Sequence, residues 1–534
     1  MIRCPLSAVP RPLLQHFMSL NTIVIQLVCI SCGLMLLRAR SIPKGWVAIS
    51  GFILLVVGAM LLLLPAQTAW VSGSLWFILY LLPLLGFARV NALVRQERYR
   101  QARKAASLFR WLHPMDGWMD YPGMLRALEL GQQGRVDEAI QELQRYQLDT
   151  SQMGRLATAL LYYMGARWTD AIAWVENHLG EKIVFTDVAV GTVYLRSLGE
   201  TGDLNRLLQI LERFEPLLEK VGDGFSLSVI KMYALAFCGQ VEPVQEAFKG
   251  TLSIMPESTQ QYWLATAEMA AGHKAVARQQ LLALRDRAGA VTQQAIDWRL
   301  SQPLICPEKV LNDPSRQTLI RLRVESGHDS NYNFRRILKG RTAYATYLLI
   351  GLNLLMFGLQ LSQGGSDNSD SLYRLGAVIP EAVFAGEWWR LISANFMHIN
   401  LTHLLMNMVG LYWLGRFVEA ALGRPKFVFV YAVSGIGSML TVTSLAILVN
   451  APPIAFIGAS GAIMGLLGVT GAILLRGWRR EKARIAGKEL RWIVILVAFQ
   501  IIFDLLNPEV SLVGHLSGLG FGFIAGYLLA GNRP

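Results

Sequence analysis

Long apolar runs occupy both ends of this chain, separated by an amphipathic middle. Runs of about 17–25 apolar residues are the signal for helices that cross a bilayer. Three precede the middle, near residues 17–37, 46–64 and 70–89. Six follow it, near 343–362, 391–415, 427–449, 458–475, 490–506 and 511–530. The first run is long for a signal peptide and poor in small-residue cleavage signals, so it reads as a span, although its position leaves the signal-peptide reading open. Residues 105–305 instead carry apolar positions at helical spacing with polar faces between them, as a soluble helical domain does.

That middle segment repeats. Leu128 to Ala139 recurs in looser form around Gly165, Gly202, Gly239 and Gly272, each glycine lying between two amphipathic helical runs. The glycines, Gly134 included, are spaced by roughly 31–37 residues, a period expected of stacked helical hairpins that cannot bury their apolar faces alone. The segments resemble degenerate tetratricopeptide-type repeats, lacking most of the large aromatic and closing proline positions. A peptide- or partner-binding concave face is the functional reading; a helical spacer is the plain alternative.

Charge then orients the spans. The loop after the first span holds Arg38, Arg40 and Lys44, and the third span is followed by Arg89, Arg95, Arg98, Arg100, Arg103 and Lys104. Arg335, Arg336, Lys339 and Arg341 precede the fourth span, and Arg416, Arg424 and Lys426 follow the fifth. Arg476, Arg479, Arg480, Lys482, Arg484, Lys488 and Arg491 follow the seventh, whereas Ala66–Gly73 and Asn450–Phe456 carry no charge. Every second loop is basic, and the positive-inside rule makes those loops cytoplasmic. The N-terminus then lies outside, with the middle domain and C-terminus inside; Arg3 and Arg11 weigh mildly against this.

The composition agrees: 53% of the 534 residues are hydrophobic and only 16% charged, against about 25% in soluble domains. The net charge of +13 comes from residues flanking the apolar runs, not from a basic face, which argues against nucleic acid. Five scattered cysteines (Cys4, Cys29, Cys32, Cys238, Cys306) form no disulfide framework or zinc cluster. Cys29 and Cys32 make a CxxC inside an apolar run, where small core residues are expected rather than a redox pair.

Polar residues inside such runs need a reason. Ser460 stands in Gly458-Ala459-Ser460-Gly461 at the start of one span, His515 near the start of another, and His403 and Asn407 four apart in a third. A serine hydroxyl needs a base, and a neutral imidazole is the usual one. Ser460 and His515 lie near the outer ends of parallel spans, at matched depth. Gly461, Gly465 and Gly468 line one helix and Gly514, Gly518, Gly522 and Gly526 stripe the other, a spacing of small residues that lets membrane helices touch. His403 and Asn407 share a helix face near the same depth, as oxyanion donors or as interhelical glue.

Taken in order, Trp389-Arg390, His398, His403, Asn407, Glu419, Gly458-Ala459-Ser460-Gly461 and Gly514-His515-Leu516-Ser517-Gly518 resemble a rhomboid intramembrane serine protease over the last ~195 residues. The resemblance implies a six-helix core, a Ser460–His515 dyad, and an oxyanion hole from His403, Asn407 and the Ser460 backbone. Gly458, Gly461, Gly518, Trp389 and Arg390 are supporting residues, with Trp389 and Arg390 at the interface in a loop, 363–390, partly in the outer leaflet. His398 is expected at the water interface in a structural role. No Asp or Glu is expected to orient His515; Asp504 is set aside because the resemblance implies a dyad. Met464 replaces an aromatic that in many relatives packs on the histidine, which alters the pocket wall.

The expected fold is all-α: a three-helix transmembrane module (1–94), a cytoplasmic helical repeat domain (95–305), a linker (306–340) and a rhomboid six-helix domain (341–534). The expected activity is intramembrane serine endopeptidase, with no metal or organic cofactor. Its partners would be transmembrane protein substrates, membrane lipids and a protein or peptide bound by the repeats. The expected setting is a bacterial inner membrane, with the site opening to the outer face. Two alternatives stand beside this: a rhomboid-like binder of membrane helices that does not cut, and a repeat scaffold anchored in the membrane.

Overall fold

The computed structural model describes residues 20–331 and 342–529, apart from 38, 40–41, 147–150, 222, 303, 366–367, 452–454, 481–482 and 508–509. Among these residues the secondary structure is helical throughout, save one antiparallel bridge between Val378 and Phe456. The chain divides into two compact units, residues 21–330 and residues 331–534 with the first twenty.

The unit 21–330 begins with α1 (Leu20–Leu37), α2 (Lys44–Leu63), α3 (Thr68–Trp76) and α4 (Leu82–Arg95), the last two joined through a π-turn, Phe77–Leu81. Val28, Cys32, Ile53, Val57, Tyr80 and Phe87 form their small core. Leu55, Leu62, Leu63 and Trp70 instead point outward and are exposed, an apolar surface that suits lipid and not water. α4 then folds back on α5 (Tyr99–Phe109) at Glu97, whose φ is +55°, with the Arg98 N–H donating to the Leu93 carbonyl (2.9 Å).

The same turn recurs along the helices that follow. These are α6 (Tyr121–Gln132), α7 (Val136–Gln144), α8 (Gln152–Met164), α9 (Trp168–Trp174), α10 (Glu181–Val184), α11 (Val188–Thr201) and α12 (Leu204–Val221). After them come α13 (Gly224–Phe237), α14 (Val241–Lys249), α15 (Glu257–Ala270), α16 (Lys274–Arg285) and α17 (Ala290–Ser301). Gly134, Ala166, Gly202, Gly239 and Gly272 all take positive φ, and the next residue's N–H bonds to the carbonyl five back in every case. This closes the C-terminus of one helix and turns the chain into the next. In the second of these turns the left-handed residue is Ala166, one position beyond Gly165. Because Glu97 has this geometry too, the hairpin array starts from the membrane helix α4 itself.

Residues 306–340, read from the sequence as a linker, contain α18 (Pro307–Val310) and α19 (Asp313–Asn331). Leu311, Leu319 and Leu322 bury into the core shared by α11–α16, and Arg321–Glu215 (2.9 Å) and Lys231–Glu325 (2.8 Å) ion pairs hold α19 there. Helical spacing of these leucines makes a packed terminal helix, which the prolines and mixed charge of the segment conceal.

The second unit contains α20 (Tyr344–Ser362), the short α21 (Ser369–Leu375), α22 (Pro380–Phe384) and α23 (Arg390–Ser393), then α24 (Leu401–Gly410). A π-turn, Leu411–Gly415, carries α24 into α25 (Arg416–Leu422). α26 (Arg424–Leu448), α27 (Ser460–Arg480), α28 (Arg484–Leu506) and α29 (Leu512–Leu529) complete it. α27 is the axis of this unit: 83% of its apolar window is buried, against 28–50% for the other apolar spans around it.

Six described helical segments are long and apolar enough to cross a membrane: Lys44–Leu63, Pro65–Arg95, Tyr344–Ser362, Arg424–Leu448, Ser460–Arg480 and Leu512–Leu529. The chain is a polytopic membrane protein. Of the other expected spans, the first is a shorter apolar helix, described over Asn21–Leu37. The one expected at 490–506 lies within α28, a helix that also carries Glu489, Arg491 and Asp504. The span expected at 391–415 starts later, at Leu401, and runs to Leu422. Asn400 caps it, its side chain accepting the His403 N–H (2.8 Å), while residues 390–396 form separate short turns.

Candidate functional site

Ser460 opens α27, and main-chain bonds set its approach. Val378 and Phe456 exchange both N–H···O bonds (3.1 and 2.9 Å), and the Gly458 N–H donates to the Ala394 carbonyl (2.9 Å). Gly458 has φ +136°, a backbone open to glycine and strained for other residues. A Cβ placed there would lie 2.9 Å from His403 Cε1, 3.2 Å from its Nε2 and 3.6 Å from Ser460 Oγ. The imidazole of His403 and the hydroxyl of Ser460 therefore border the same small space, over a residue that has no side chain to fill it. Ser460 also sits where the unpaired N–H groups of a helix start collect.

His515 lies in the first turn of α29. The Ser511 hydroxyl accepts the Gly514 N–H (3.0 Å), and the His515 N–H donates to the Ser511 carbonyl (3.0 Å). α29 then runs in backbone contact with α27: a Cβ at Gly518 would collide with the Gly461 carbonyl, one at Gly522 with Gly465, and one at Gly526 with Val469 (2.8 Å to its Cα). The stripe expected from the sequence does this work, except that Gly514 faces α26, where Ser438 Oγ donates to its carbonyl (2.7 Å). A Cβ at Gly461, next to Ser460, would still lie 3.7 Å from the carbonyl of Gly514, next to His515, so both residues stand at the same end of the α27–α29 contact. Among the described residues no hydrogen bond joins Ser460 Oγ to His515, and His515 Nε2 has no partner.

The other ring nitrogen is engaged. His515 Nδ1 lies 2.8 Å from Asp504 Oδ2, and Gln500 Nε2 donates to Asp504 Oδ1 (2.7 Å). Asp504 is 3% exposed and His515 7%. This corrects the expectation that no acidic residue could orient His515. Asp504 stands at the end of α28, one short turn before α29, and the return of the chain brings it onto the imidazole.

On α24, Asn407 is buried and its Nδ2 has no partner, as has His403 Nδ1. His398, expected at the water interface, is instead fully buried with both ring nitrogens unpartnered; its ring is 5.2 Å from that of His403, edge to face. Gln360 explains its position, donating to the His398 carbonyl (3.1 Å) and accepting its N–H (2.9 Å). Buried donors left without acceptors are costly, about 1–3 kcal/mol each. Three such side chains side by side mark a place where an acceptor is meant to arrive.

Arg390 is 1% exposed. It donates to Tyr373 and Ala377 carbonyls (2.7 and 3.1 Å) and to Glu387 (2.7 Å), and its guanidinium lies 4.1 Å over the Tyr373 ring. It clamps the loop that the Val378–Phe456 bridge ties to the Ser460 approach. Trp389 beside it is half exposed. Glu419, buried on α25, accepts the Ala345 and Thr346 N–H groups (3.1 and 2.8 Å) and the Thr346 hydroxyl (2.8 Å), capping the start of α20. Met464 is buried on α27, one turn after Ser460.

The second unit is thus a bundle of apolar helices with a serine at the head of its most buried span, and it also holds a buried imidazole–carboxylate pair and orphaned donors. The comparisons with known proteins make this specific. Residues 385–532 match the Rhomboid domain. The chain is 35% identical over 181 residues to rhomboid protease GluP of Bacillus subtilis, covering 34% of each. It is 35% identical over 144 residues to the putative rhomboid protease YdcA of the same organism, covering 27% of this chain and 68% of that protein. With rhomboid-like protease 2 of Toxoplasma gondii it shares 33% identity over 182 residues, 33% of this chain and 60% of that one. The chain belongs to the rhomboid family. It spans about a third of the length of GluP and about two thirds of YdcA.

Proposed function

We propose that the chain is an intramembrane serine endopeptidase that cleaves transmembrane segments of membrane proteins. The observation that carries this is the glycine-to-backbone contact of α27 with α29, which sets Ser460 and His515 at one end of adjoining spans, beside the orphaned donors of His403 and Asn407. His515 Nε2 takes the Ser460 proton as Oγ attacks the scissile carbonyl, then returns it to the leaving amine; water releases the acyl-enzyme through the same base. His403, Asn407 and the Ser460 N–H receive the oxyanion, an interaction worth roughly 10²–10³ in rate per donor. The Ser460–His515 hydrogen bond is made when substrate is bound, since catalytic hydrogen bonds often tighten only in the substrate complex. A helical substrate must unwind locally to offer its amide, since within lipid its backbone groups are paired in the helix.

The test is incubation with a transmembrane model substrate, comparing wild type with Ser460→Ala and His515→Ala and locating the cut by product mass. Cleavage by wild type alone is expected. Equal cleavage by Ser460→Ala would end the proposal. The alternative is a rhomboid-like binder of membrane helices that does not cut. A fluorophosphonate that labels wild type but not Ser460→Ala would exclude it.

For the repeat unit we propose a protein or peptide partner. It carries a cavity of about 140 Å³ bordered by Glu97, Tyr163, Trp168, Arg196, Thr259 and Trp263, in which the Arg196 guanidinium lies 4.7–5.0 Å from the Tyr163, Trp168 and Trp263 rings. A bacterial inner membrane, with the repeats and C-terminus in the cytoplasm and the site opening outward, completes the proposal.

A further inference from the structure

His515 in this chain has an anionic partner. A carboxylate is a poor choice for the place Asp504 occupies: it is in the last turn of α28, where the helix dipole repels negative charge, and it is almost wholly buried. Its described partners are His515 Nδ1 at 2.8 Å and Gln500 Nε2 at 2.7 Å. Neither a lysine nor an arginine is paired with it among the described residues. Helix stability does not account for such a residue, whereas the imidazole it touches does.

The hydrogen bonds fix the tautomer. An ionised Asp504 only accepts, so the Nδ1 proton is donated to Oδ2 and Gln500 donates to Oδ1. Gln500 Nε2 also lies 3.4 Å from His515 Nδ1. With both nitrogens donating to the same carboxylate, that approach is a shared neighbour and not a bond. The proton on Nδ1 leaves the lone pair on Nε2, the nitrogen without a partner.

Resting on the protease reading above, we propose that Asp504 is a positioning residue for His515, its carboxylate held by Gln500, so that the catalytic unit is Ser460–His515–Asp504 and not a dyad. As the Ser460 oxygen bonds to the substrate carbonyl carbon, its proton passes to Nε2. The imidazolium so formed keeps its Nδ1 proton directed at Asp504, which stays ionised, and then protonates the leaving amine. The carboxylate holds the ring in one tautomer and stabilises its positive form. Besides Asp504, the described titratable group that interacts with His515 is His403 on α24, and Gln500 on α28 is the uncharged polar side chain beside its Nδ1.

The full-length protein, reconstituted with a transmembrane model substrate, is assayed across pH. Asp504→Asn should lower kcat by roughly 10²–10⁴-fold with KM little changed. Its acid limb should move to lower pH, because the imidazolium loses its counter-charge. Asp504→Glu should recover part of the rate. Gln500→Leu keeps the charge and folds with an apolar side chain of similar size. It leaves the carboxylate uncompensated, so its acid limb should move the opposite way, to higher pH. Unchanged kcat and pH profile in Asp504→Asn, or a rate loss without movement of the acid limb and without recovery by Glu, would overturn the positioning role. Should Asp504→Asn not fold, an unmoved limb in Gln500→Leu overturns it instead. Wild type that fails to cleave, or Ser460→Ala that still does, sinks the protease reading and Asp504 with it, and is told apart by the wild-type control.

Discussion

Gly458 carries two constraints at once, a left-handed φ and an imidazole against its open face. A methyl group there meets both: strain of order 1–3 kcal/mol, and a 2.9 Å contact with His403 Cε1 that must be relieved by moving the ring. Since displacement of a catalytic group by about 1 Å costs on the order of 100-fold, Gly458→Ala should lose roughly that much turnover of a transmembrane substrate while remaining folded. Wild-type turnover would show that His403 has no part in the reaction. Outside the spans, Glu97 is a residue of another kind. Burial raises its carboxyl above the ordinary value, against a hydrogen bond from Thr259 (2.7 Å) and the nearby Arg196 charge. A raised acid favours folding in its protonated state. That contribution is full below the unfolded value and is lost as pH climbs through the raised one. Glu97→Gln, with an acceptor for Thr259 and no charge to bury, should flatten the fall in melting temperature between acid and neutral pH; an unaltered pH dependence would show that Glu97 is not its source.

At the scale of the helix, the contact between α27 and α29 has no slack on one face and ample room on the other. A Cβ at Gly518 strikes the Gly461 backbone, whereas at Gly520 nothing lies within 4 Å. Gly518→Ala should therefore separate the two helices, lowering the melting temperature and cutting activity by about 10-fold or more. Gly520→Ala, two residues along the same helix, should stay within about 0.5 kcal/mol and near wild-type rate. Equal effects of the two would mean that backbone contact is not what brings hydroxyl and imidazole together. Other elements were legible to different degrees. The glycine turns at 134, 202, 239 and 272 follow the sequence period, but at the second turn Ala166 and not Gly165 takes positive φ. The start of α24 at Leu401 was missed because hydrophobicity continues through 391–400; only the cap by Asn400 and the bond from Gln360 break the helix there.

For the molecule as a whole, the membrane orientation rests on the basic loops and is open to direct measurement. Cys306 is exposed while Cys32 and Cys238 are buried and Cys29 is partly so. The expected topology places Cys4 outside and Cys306 in the cytoplasm. A membrane-impermeant maleimide should then label Cys4→Ser protein in inverted vesicles and not in intact cells, and Cys306→Ser protein in intact cells. The reverse pattern would invert the topology and with it the side on which Ser460 opens. The hairpin turn at Glu97, built like those of the repeats, also means that α4 passes from a membrane span into the helical array without an intervening tether.

The apolar runs, the alternation of basic loops, the helical-repeat period and the serine–histidine pattern were all present in the chain as a string. Lipid demands unbroken apolar length and charge sits where it cannot cross, so these properties are local and need no fold to be read. The candidate site was legible in the same way for Ser460, His515, His403, Asn407 and the glycine stripe. Contacts that depend on register between elements were not. Asp504 reaches His515 only because α28 ends, turns within a few residues and returns as α29. Gln360 holds His398 across 38 residues, and Leu311, Leu319 and Leu322 turn an apparent linker into a packed helix. Spacing along a chain tells which residues share a face; which face meets which neighbour is settled only when every helix has found its place, because packing energy belongs to the pair and not to either sequence alone.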